Sequence, residues 1–246
     1  MNNKMIALLS IFLCTMLLLS ACVLPLRYTE VRGSGNLKTI SRPLSGIDAV
    51  ELSGIGTLII HQGDVESLEI TAEESLLDYI KSDIKGSNLI IGIEEYINMR
   101  PTKDITYKLT VKELQRLSTS GMGQVEVYKL NSDRLYVTIS GSGGILIEDL
   151  EVEKLLLETS GLGDIKISGF AKEQEVNISG MATYNAEELM NQTALINISG
   201  AGNAVVWVTE KLDASISGAG KIQYYGEPVV NTDISGAGSI DSLGEK

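Results

Sequence analysis

Few side chains in this sequence are of the types that catalyse reactions or bind metals. His61 is the single histidine, and the two cysteines, Cys14 and Cys22, lie near the N-terminus. A histidine-based zinc site requires further histidine or cysteine ligands, and a serine–histidine–acid triad requires one distinct nucleophilic serine. After Cys22 the sequence has no cysteine and no histidine other than His61. We therefore predict a structural role for His61, with no catalytic residue, no metal site and no cofactor.

A different chemistry is indicated at Cys22. Lys4 precedes an apolar run over residues 5–19, and Ser20, Ala21 and Cys22 follow it. The run is short for a transmembrane helix and has the form of a signal peptide. The segment LSAC at 19–22 resembles the bacterial lipobox, which implies cleavage after Ala21 and attachment of diacylglycerol to the Cys22 thiol. Acyl chains of this kind give stable membrane anchoring.

We therefore expect a membrane-anchored lipoprotein of the cell envelope, exposed on the extracytoplasmic side. Residue 23, directly after the predicted lipidation site, is Val and not Asp. In a cell with two membranes, this favours anchoring in the outer membrane. The formal charge of −12 argues against nucleic acid as a partner and against direct adsorption to anionic lipid. The predicted contact with the membrane is thus the Cys22 lipid.

A repeated sequence motif, Ser-Gly-x-Gly, predicts the corners and strands on which any functional surface would lie. Its serines are separated by 20, 20, 19, 20, 18 and 18 residues, and an earlier copy begins at Ser53. Self-similarity at such a period is typical of stacked repeats. We predict that the glycines form corners, because glycine takes positive φ at low cost and allows close stacking. The predicted corner glycines are Gly54, Gly121, Gly141, Gly161, Gly180, Gly200, Gly218 and Gly236.

The residues around each corner alternate between apolar and polar. Positions one and three before each serine, and five and seven after it, are largely aliphatic, as in Val137, Leu157 and Val176. Since side chains in a strand alternate faces with period two, each repeat should hold two strands facing one interior. Leu130, Leu150, Phe170 and Leu189, ten residues after their serines, suggest a third inward face. We predict an all-β parallel β-helix with about 18–20 residues per coil.

Two catalytic or metal-binding alternatives were compared with this pattern. The acidic residues of the repeats fall at different offsets from their serines and predict no paired carboxylates, although an enzyme acting on polysaccharide stays open as an alternative. Calcium-binding repeats place a carboxylate two residues after the last glycine, where this chain has Val125, Ile145 and Ile165. The calcium-binding reading therefore fails. The acidic residues compared are Glu148, Asp149, Asp164, Asp213 and Asp233.

The part of the chain before Ser120 carries a resemblance to a known family. Five segments of this part, named below, together with the Ser-Gly-x-Gly repeats, resemble the bacterial auto-transporter adhesin, head GIN domain, family over residues 46–240. The resemblance implies a right-handed parallel β-helix and an adhesion-like role, and it carries over no catalytic residue. The segments are IDAV at 47–50, IIHQGD at 59–64, SLEI at 67–70, LLDYI at 76–80 and LII at 89–91.

These patterns divide the chain into four parts. We predict a signal peptide at 1–21, an unpatterned tether at 22–45 with at most a short edge strand, the β-helix domain at 46–241 and a polar tail at 242–246. Within the domain we expect a short helix at 74–81 and a loop at 94–103. The tail should cover little of the last rung, so self-association through this C-terminal edge is a further expectation.

Three functions remain as hypotheses. The first is a non-catalytic lipoprotein that presents a binding or adhesion surface to a glycan or an envelope protein. The second is an envelope hydrolase or lyase acting on polysaccharide, and the third is a structural, self-associating element.

Overall fold

The computed structural model of the protein describes residues 28–246. The predicted cleavage site at Ala21 and lipidation site at Cys22 lie outside these residues. The described residues before the regular repeats form nine strands and one 3₁₀ helix. They are β1 (Thr29–Arg32), β2 (Leu37–Pro43), β3 (Ala49–Leu52), β4 (Thr57–Gln62), β5 (Ser67–Glu73), the 3₁₀ helix Glu74–Tyr79, β6 (Ile80–Lys85), β7 (Asn88–Ile93), β8 (Ile97–Arg100) and β9 (Thr106–Val111).

The repeats that follow form a stack of parallel strands. The long strands bend through the body, so that each one contributes to more than one face. They are β10 (Arg116–Thr119), β11 (Gln124–Val127), β12 (Leu130–Ile139), β13 (Ile145–Thr159), β14 (Asp164–Ile178), β15 (Thr183–Ile198), β16 (Asn203–Ile216), β17 (Lys221–Tyr225), β18 (Val229–Ile234) and β19 (Ser239–Ser242).

The predicted β-helix is confirmed by the pairing of successive rungs. Val137 is in register with Leu157, and Leu157 with Val176, and all three are fully buried. The same in-register parallel pairing joins β14 to β15 and β15 to β16. Each buried aliphatic side chain of this kind contributes about 1.5–3 kcal/mol. The core is therefore an aliphatic column that no single repeat could bury alone.

The expected third inward face is correct at Leu130, Leu150 and Leu189 but wrong at Phe170. Those three leucines are buried, whereas Phe170 is only partly covered. A register shift lies between Ile147 and Leu150, and it pairs Leu150 with Gly169 instead of Phe170. Gly169 therefore occupies the inward position on this rung, and its φ of 121° is one that glycine adopts readily.

The N-terminal end of the stack is built differently. β3 and β4 continue the parallel stack onto β7 and β9, but β5 and β2 then add antiparallel strands beyond β9, and β6 pairs antiparallel with β7. The short 3₁₀ helix confirms the helix expected there. The sheets therefore end in antiparallel strands, and not in a bare rung.

Two predicted irregular segments contain strands. Residues 29–43, expected to lie in a tether, form β1 and β2, and residues 97–100, expected to lie in a loop, form β8. β1 pairs with β8, and β2 pairs with β5 at the outer edge of the sheet. Most residues of β2 are exposed, so this strand has no apolar alternation that the sequence could reveal.

The C-terminal tail also differs from the expectation, because it docks on the preceding rung. The Leu243 N–H donates to the Tyr224 carbonyl at 2.8 Å, and the Gly226 N–H donates to the Gly244 carbonyl at 2.9 Å. β18 still leaves Val229 and Ile234 exposed, at 70% and 45%, because no rung follows it within the described residues.

A polar network interrupts the aliphatic core at the middle of the stack. Tyr184 donates to the side-chain oxygen of Gln174 at 2.9 Å, and the amide of Gln174 donates to Asn191. Asn191 in turn donates to the Ala171 carbonyl at 2.9 Å. The three polar side chains come from different faces of the coil and meet inside it. Since each one satisfies another, a shift of one rung would leave buried polar groups unpaired.

A buried carboxylate fastens the N-terminal segments to the body. Glu73 is fully buried and accepts hydrogen bonds from the Gly35 N–H at 2.6 Å and the Thr102 N–H at 2.7 Å. The Thr102 hydroxyl at 2.7 Å and the Lys103 N–H at 3.3 Å complete its partners. These bonds, chiefly those from Thr102, lower the pKa of Glu73 from 4.5 to about 2. The carboxylate therefore joins the end of β5 to residues 33–36 and to the segment after β8.

The lowered pKa makes this contribution to stability pH-dependent. Because the folded-state value lies below the ordinary one, the contribution should be complete above about pH 4.5 and disappear as the pH falls toward about 2. Replacing Glu73 with Gln should lower the urea midpoint at pH 6, and the difference from the unsubstituted chain should shrink steadily below about pH 4.5. A difference that stays constant from pH 6 to pH 2.5 would contradict this role.

Candidate functional site

The predicted corner glycines stack along one edge of the β-helix. The Gly141 carbonyl accepts from the Leu162 N–H at 3.0 Å, and the Gly161 carbonyl accepts from the Met181 N–H at 3.2 Å. A Cβ at Gly161 would overlap the Gly141 carbonyl oxygen. The same rung-to-rung overlap would occur at Gly121, Gly141, Gly180, Gly200, Gly218 and Gly236. Gly54 begins the series, since its own carbonyl accepts from Met122 at 3.1 Å.

The reason for glycine at these corners is close approach and not backbone conformation. None of the predicted corner glycines is among the described glycines with positive φ. The expectation of positive φ at the corners was therefore wrong, while the expectation of close stacking was right. The serine of each regular corner is exposed, and the Ser179 hydroxyl donates to the Thr159 carbonyl of the rung before it at 3.1 Å.

One face of the β-helix, next to this edge, carries the candidate site. We call it the pre-corner face and define it as the outward side chains of the strand segments that lead into the corners. Three depressions of the surface lie on it. The segments are residues 116–119, 134–139, 154–159, 173–178, 193–198 and 211–216.

The depression beside the corner is lined by small polar side chains and by Ile139, Ile178 and Ile198. It has a volume of about 320 Å³, and the corner hydroxyls of Ser160, Ser179 and Ser199 form one side. The side chains two residues before each corner serine form the other side. Because the rungs are in register, these hydrogen-bonding groups repeat at about 4.8 Å. The repeating side chains are Thr138, Glu158, Asn177, Asn197 and Ser215.

Two of these polar side chains are fixed by contacts within the face. Asn197 donates to the side-chain oxygen of Asn177 on the rung before it at 2.9 Å. Glu158 accepts a hydrogen bond from the Tyr136 hydroxyl, and this bond raises the pKa of the phenol.

The second depression, of about 630 Å³, is lined by three basic and two acidic residues, so basic groups are in excess there on this acidic protein. Arg116, Arg134 and Lys154 lie around it, with Tyr136 and Leu156 between them. Lys154 is 3.8 Å from a Glu175 oxygen. Neither Arg116 nor Arg134 forms an ion pair with another described residue. Two guanidinium groups are thus available to an anionic ligand.

Acidic groups line the same depression and continue into the third. Asp133 and Glu153 border the second depression, and Glu153 is 3.3 Å from Lys172 outside it. The third depression, about 330 Å³, contains Glu173 and Asp213. Hydrogen bonds from Lys211 at 2.6 Å and from Asn231 at 2.7 Å lower the pKa of Asp213. The charged lining therefore changes from three basic and two acidic residues in the second depression to two basic and three acidic residues in the third.

His61 lies apart from the pre-corner face. Its ring stacks on Tyr128, with centroids 5.5 Å apart and planes inclined by 10°. In residues 28–246, no group of three His, Cys, Asp or Glu residues is arranged to hold a metal ion. Of the five acidic residues considered from sequence, only Asp213 lines one of the three depressions. Sequence reasoning missed Arg116, Arg134 and Tyr136, because the two arginines stand at different offsets from their corner serines, four residues before Ser120 and six before Ser140.

Comparison with known proteins gives the family. The family model described as "Putative auto-transporter adhesin, head GIN domain" matches residues 46–228. The chain belongs to this family. Head GIN domain membership confirms the resemblance seen in the sequence, supports an adhesion-like role and indicates a location in the cell envelope or outside the cell. Among functionally curated proteins, none matches the chain.

Three solved structures are similar to this chain in fold. A "putative adhesin" from Bacteroides fragilis NCTC 9343 has a TM-score of 0.84 at 24% identity and covers 87% of this chain and 100% of its own. A "putative lipid binding protein" from Parabacteroides distasonis ATCC 8503 has a TM-score of 0.74 at 26% identity, with coverage of 87% and 100%. A "putative adhesin" from Parabacteroides merdae ATCC 43184 gives 0.71 at 25%, with coverage of 87% and 99%. Within residues 28–246 of this chain, no helix has the length and apolarity needed to cross a membrane.

Proposed function

We propose that the protein is a lipid-anchored adhesin of the cell envelope, which binds a glycan along the pre-corner face without cleaving it. The observation that carries this proposal is the repetition of uncharged hydrogen-bonding side chains on successive rungs. Asn177, Asn197 and Ser215 stand on three successive rungs of one column beside the exposed corner serines, and Thr138 stands in the same column beyond Glu158. A polymer with regularly spaced hydroxyl groups can bond to several rungs at once, and this raises its avidity.

The basic depression indicates which class of glycan is preferred. The chain has a formal charge of −12, so most of its surface repels an acidic polymer. Arg116 and Arg134 reverse that sign locally, and guanidinium groups bind carboxylates in a bidentate manner. Tyr136, which is in register with Arg116 and follows Arg134 by two residues, is a half-buried aromatic side chain of the same depression. These contacts favour a sugar that carries a carboxylate.

Asp213 is the one described carboxyl group of the pre-corner face with a resolved pKa shift, and that shift is the wrong one for acid catalysis. A glycosidase needs one carboxylic acid whose pKa is raised, so that it can protonate the leaving group. The described carboxyl groups with a resolved shift, Glu30, Glu73, Glu74 and Asp213, all have lowered pKa values. None of them has the property of a general acid.

The lipid anchor is the second part of the proposal and is tested separately. Cys22→Ser removes the thiol that would carry diacylglycerol, so the variant should leave the membrane fraction and should not incorporate labelled palmitate. The unsubstituted chain should do both. Label retained by the variant, or equal membrane association of the two chains, would contradict anchoring at Cys22.

The glycan proposal is tested with the body lacking the anchor, residues 23–246. A glycan array should show binding to uronate-bearing oligosaccharides. In Arg116→Gln/Arg134→Gln, the Kd for the best oligosaccharide should rise at least about tenfold, because charge-assisted hydrogen bonds are lost.

The matched control is Lys129→Gln/Lys166→Gln, which changes the net charge equally but lies away from the pre-corner face. Its Kd should stay within about twofold, since distant surface charges are screened. Equal weakening by both pairs would show that only net charge matters. An array without a glycan ligand would overturn the proposal and favour a protein partner.

Self-association through the C-terminal edge stays a prediction. The exposure of Val229 and Ile234 on β18 supports it, because an unpaired strand edge with apolar side chains invites pairing.

A further inference from the structure

The docked tail ends in a set of contacts outside the pre-corner face. The ammonium group of Lys246 lies 5.4 Å from the ring centroid of Trp207 and 5.2 Å from that of Tyr225. It also donates to a Glu188 carboxylate oxygen at 2.6 Å and to the Glu187 carbonyl. Two aromatic faces, a carboxylate and a carbonyl therefore surround one ammonium group.

This arrangement has the features of a cation-binding cage. An ammonium within about 6 Å of an aromatic centroid is attracted by the ring quadrupole, and two rings with a carboxylate add to each other. Trp207 and Tyr225 are neighbours on adjacent rungs, so the sheet register holds their rings together. The Lys246 side chain is only 24% exposed, which is low for a lysine at the end of a tail.

Backbone contacts accompany the side-chain contacts. Leu243 and Gly244 pair with Tyr224 and Gly226 in the manner of an added strand. The tail is thus held as an extended peptide ligand is held, by main-chain hydrogen bonds and by one specific side chain. Gly244 has a φ of 87°, which directs the chain from this pairing toward the cage.

We propose that Trp207, Tyr225 and Glu188 form a recognition site for a lysine side chain on an extended peptide, and that residues 243–246 occupy it as an intramolecular ligand. A lysine-bearing segment of another polypeptide then binds only by displacing the tail. The tail is a built-in competitor, and the site is independent of the glycan surface proposed above.

The test uses Trp207, the single tryptophan, as its own fluorescent reporter. In the full chain, Gly244→Pro with Lys246→Ser should release the tail, because proline cannot adopt a positive φ. The Trp207 emission should shift to longer wavelength. An acetylated peptide with the sequence of residues 241–246 should then bind saturably and reverse the shift, and it should bind the unsubstituted chain at least about tenfold more weakly.

A second peptide, with norleucine in place of lysine, isolates the ammonium group. It should bind the released variant at least about tenfold more weakly than the lysine peptide. Equal affinities of the two peptides, or no effect of either on Trp207, would overturn the proposal and leave the tail as a simple cover. An emission spectrum unchanged by releasing the tail would also overturn it.

Milder variants keep the test decisive if the released variant does not fold. Glu188→Gln and Lys246→Met alter only the cage, and iodide quenching of Trp207 should rise at least about twofold in both. Glu210→Gln, an exposed acid outside the cage, is the matched control and should leave quenching unchanged. Equal quenching in all three variants contradicts the cage.

Discussion

The whole structure depends on backbone hydrogen bonds that join each rung to the next in constant register. At every corner a glycine carbonyl accepts from the residue after the next rung's glycine, as Gly141 does from Leu162. The approach is so close that no Cβ fits between the rungs. With no cysteine after Cys22, no disulfide can hold the rungs together. The glycine edge and the aliphatic column must therefore do so.

The constant register also explains how the repeat can present a surface suited to binding. Inward positions are aliphatic on successive rungs because they fill one core, as Val137, Leu157 and Val176 do. Outward positions on the same strands lie in equally regular columns but are free to differ. Their differences place guanidinium groups at one end of the pre-corner face and amides and hydroxyls beside the corners. The same regularity brings Trp207 and Tyr225 together beneath the tail.

Sequence reasoning reached the features that a repeat imposes and missed those that depend on single contacts. The rungs, the corners and the inward columns follow from spacing and alternation. Glu73 could not be recognised, because its role depends on Gly35, Thr102 and Lys103, which only the fold brings together. Phe170 was misplaced because a one-residue register shift is invisible in composition.

The site was harder to predict than the fold for a related reason. Arg116 and Arg134 are 18 residues apart in a pattern whose polar positions carry no periodic signal. Gln174 and Asn191 occupy places where other rungs have aliphatic residues, and only their hydrogen bonds with each other, with Tyr184 and with the Ala171 carbonyl make them compatible with a core.

Thermal unfolding of Gly161→Val beside Leu162→Val tests the close stacking of the rungs directly. The two substitutions introduce the same side chain into adjacent positions of one corner. Gly161 lies against the Gly141 carbonyl, whereas Leu162 is 45% exposed. We expect a Tm lower by at least about 5 °C for Gly161→Val and by less than about 2 °C for Leu162→Val. Equal melting temperatures would contradict the close stacking of the rungs at the glycine edge.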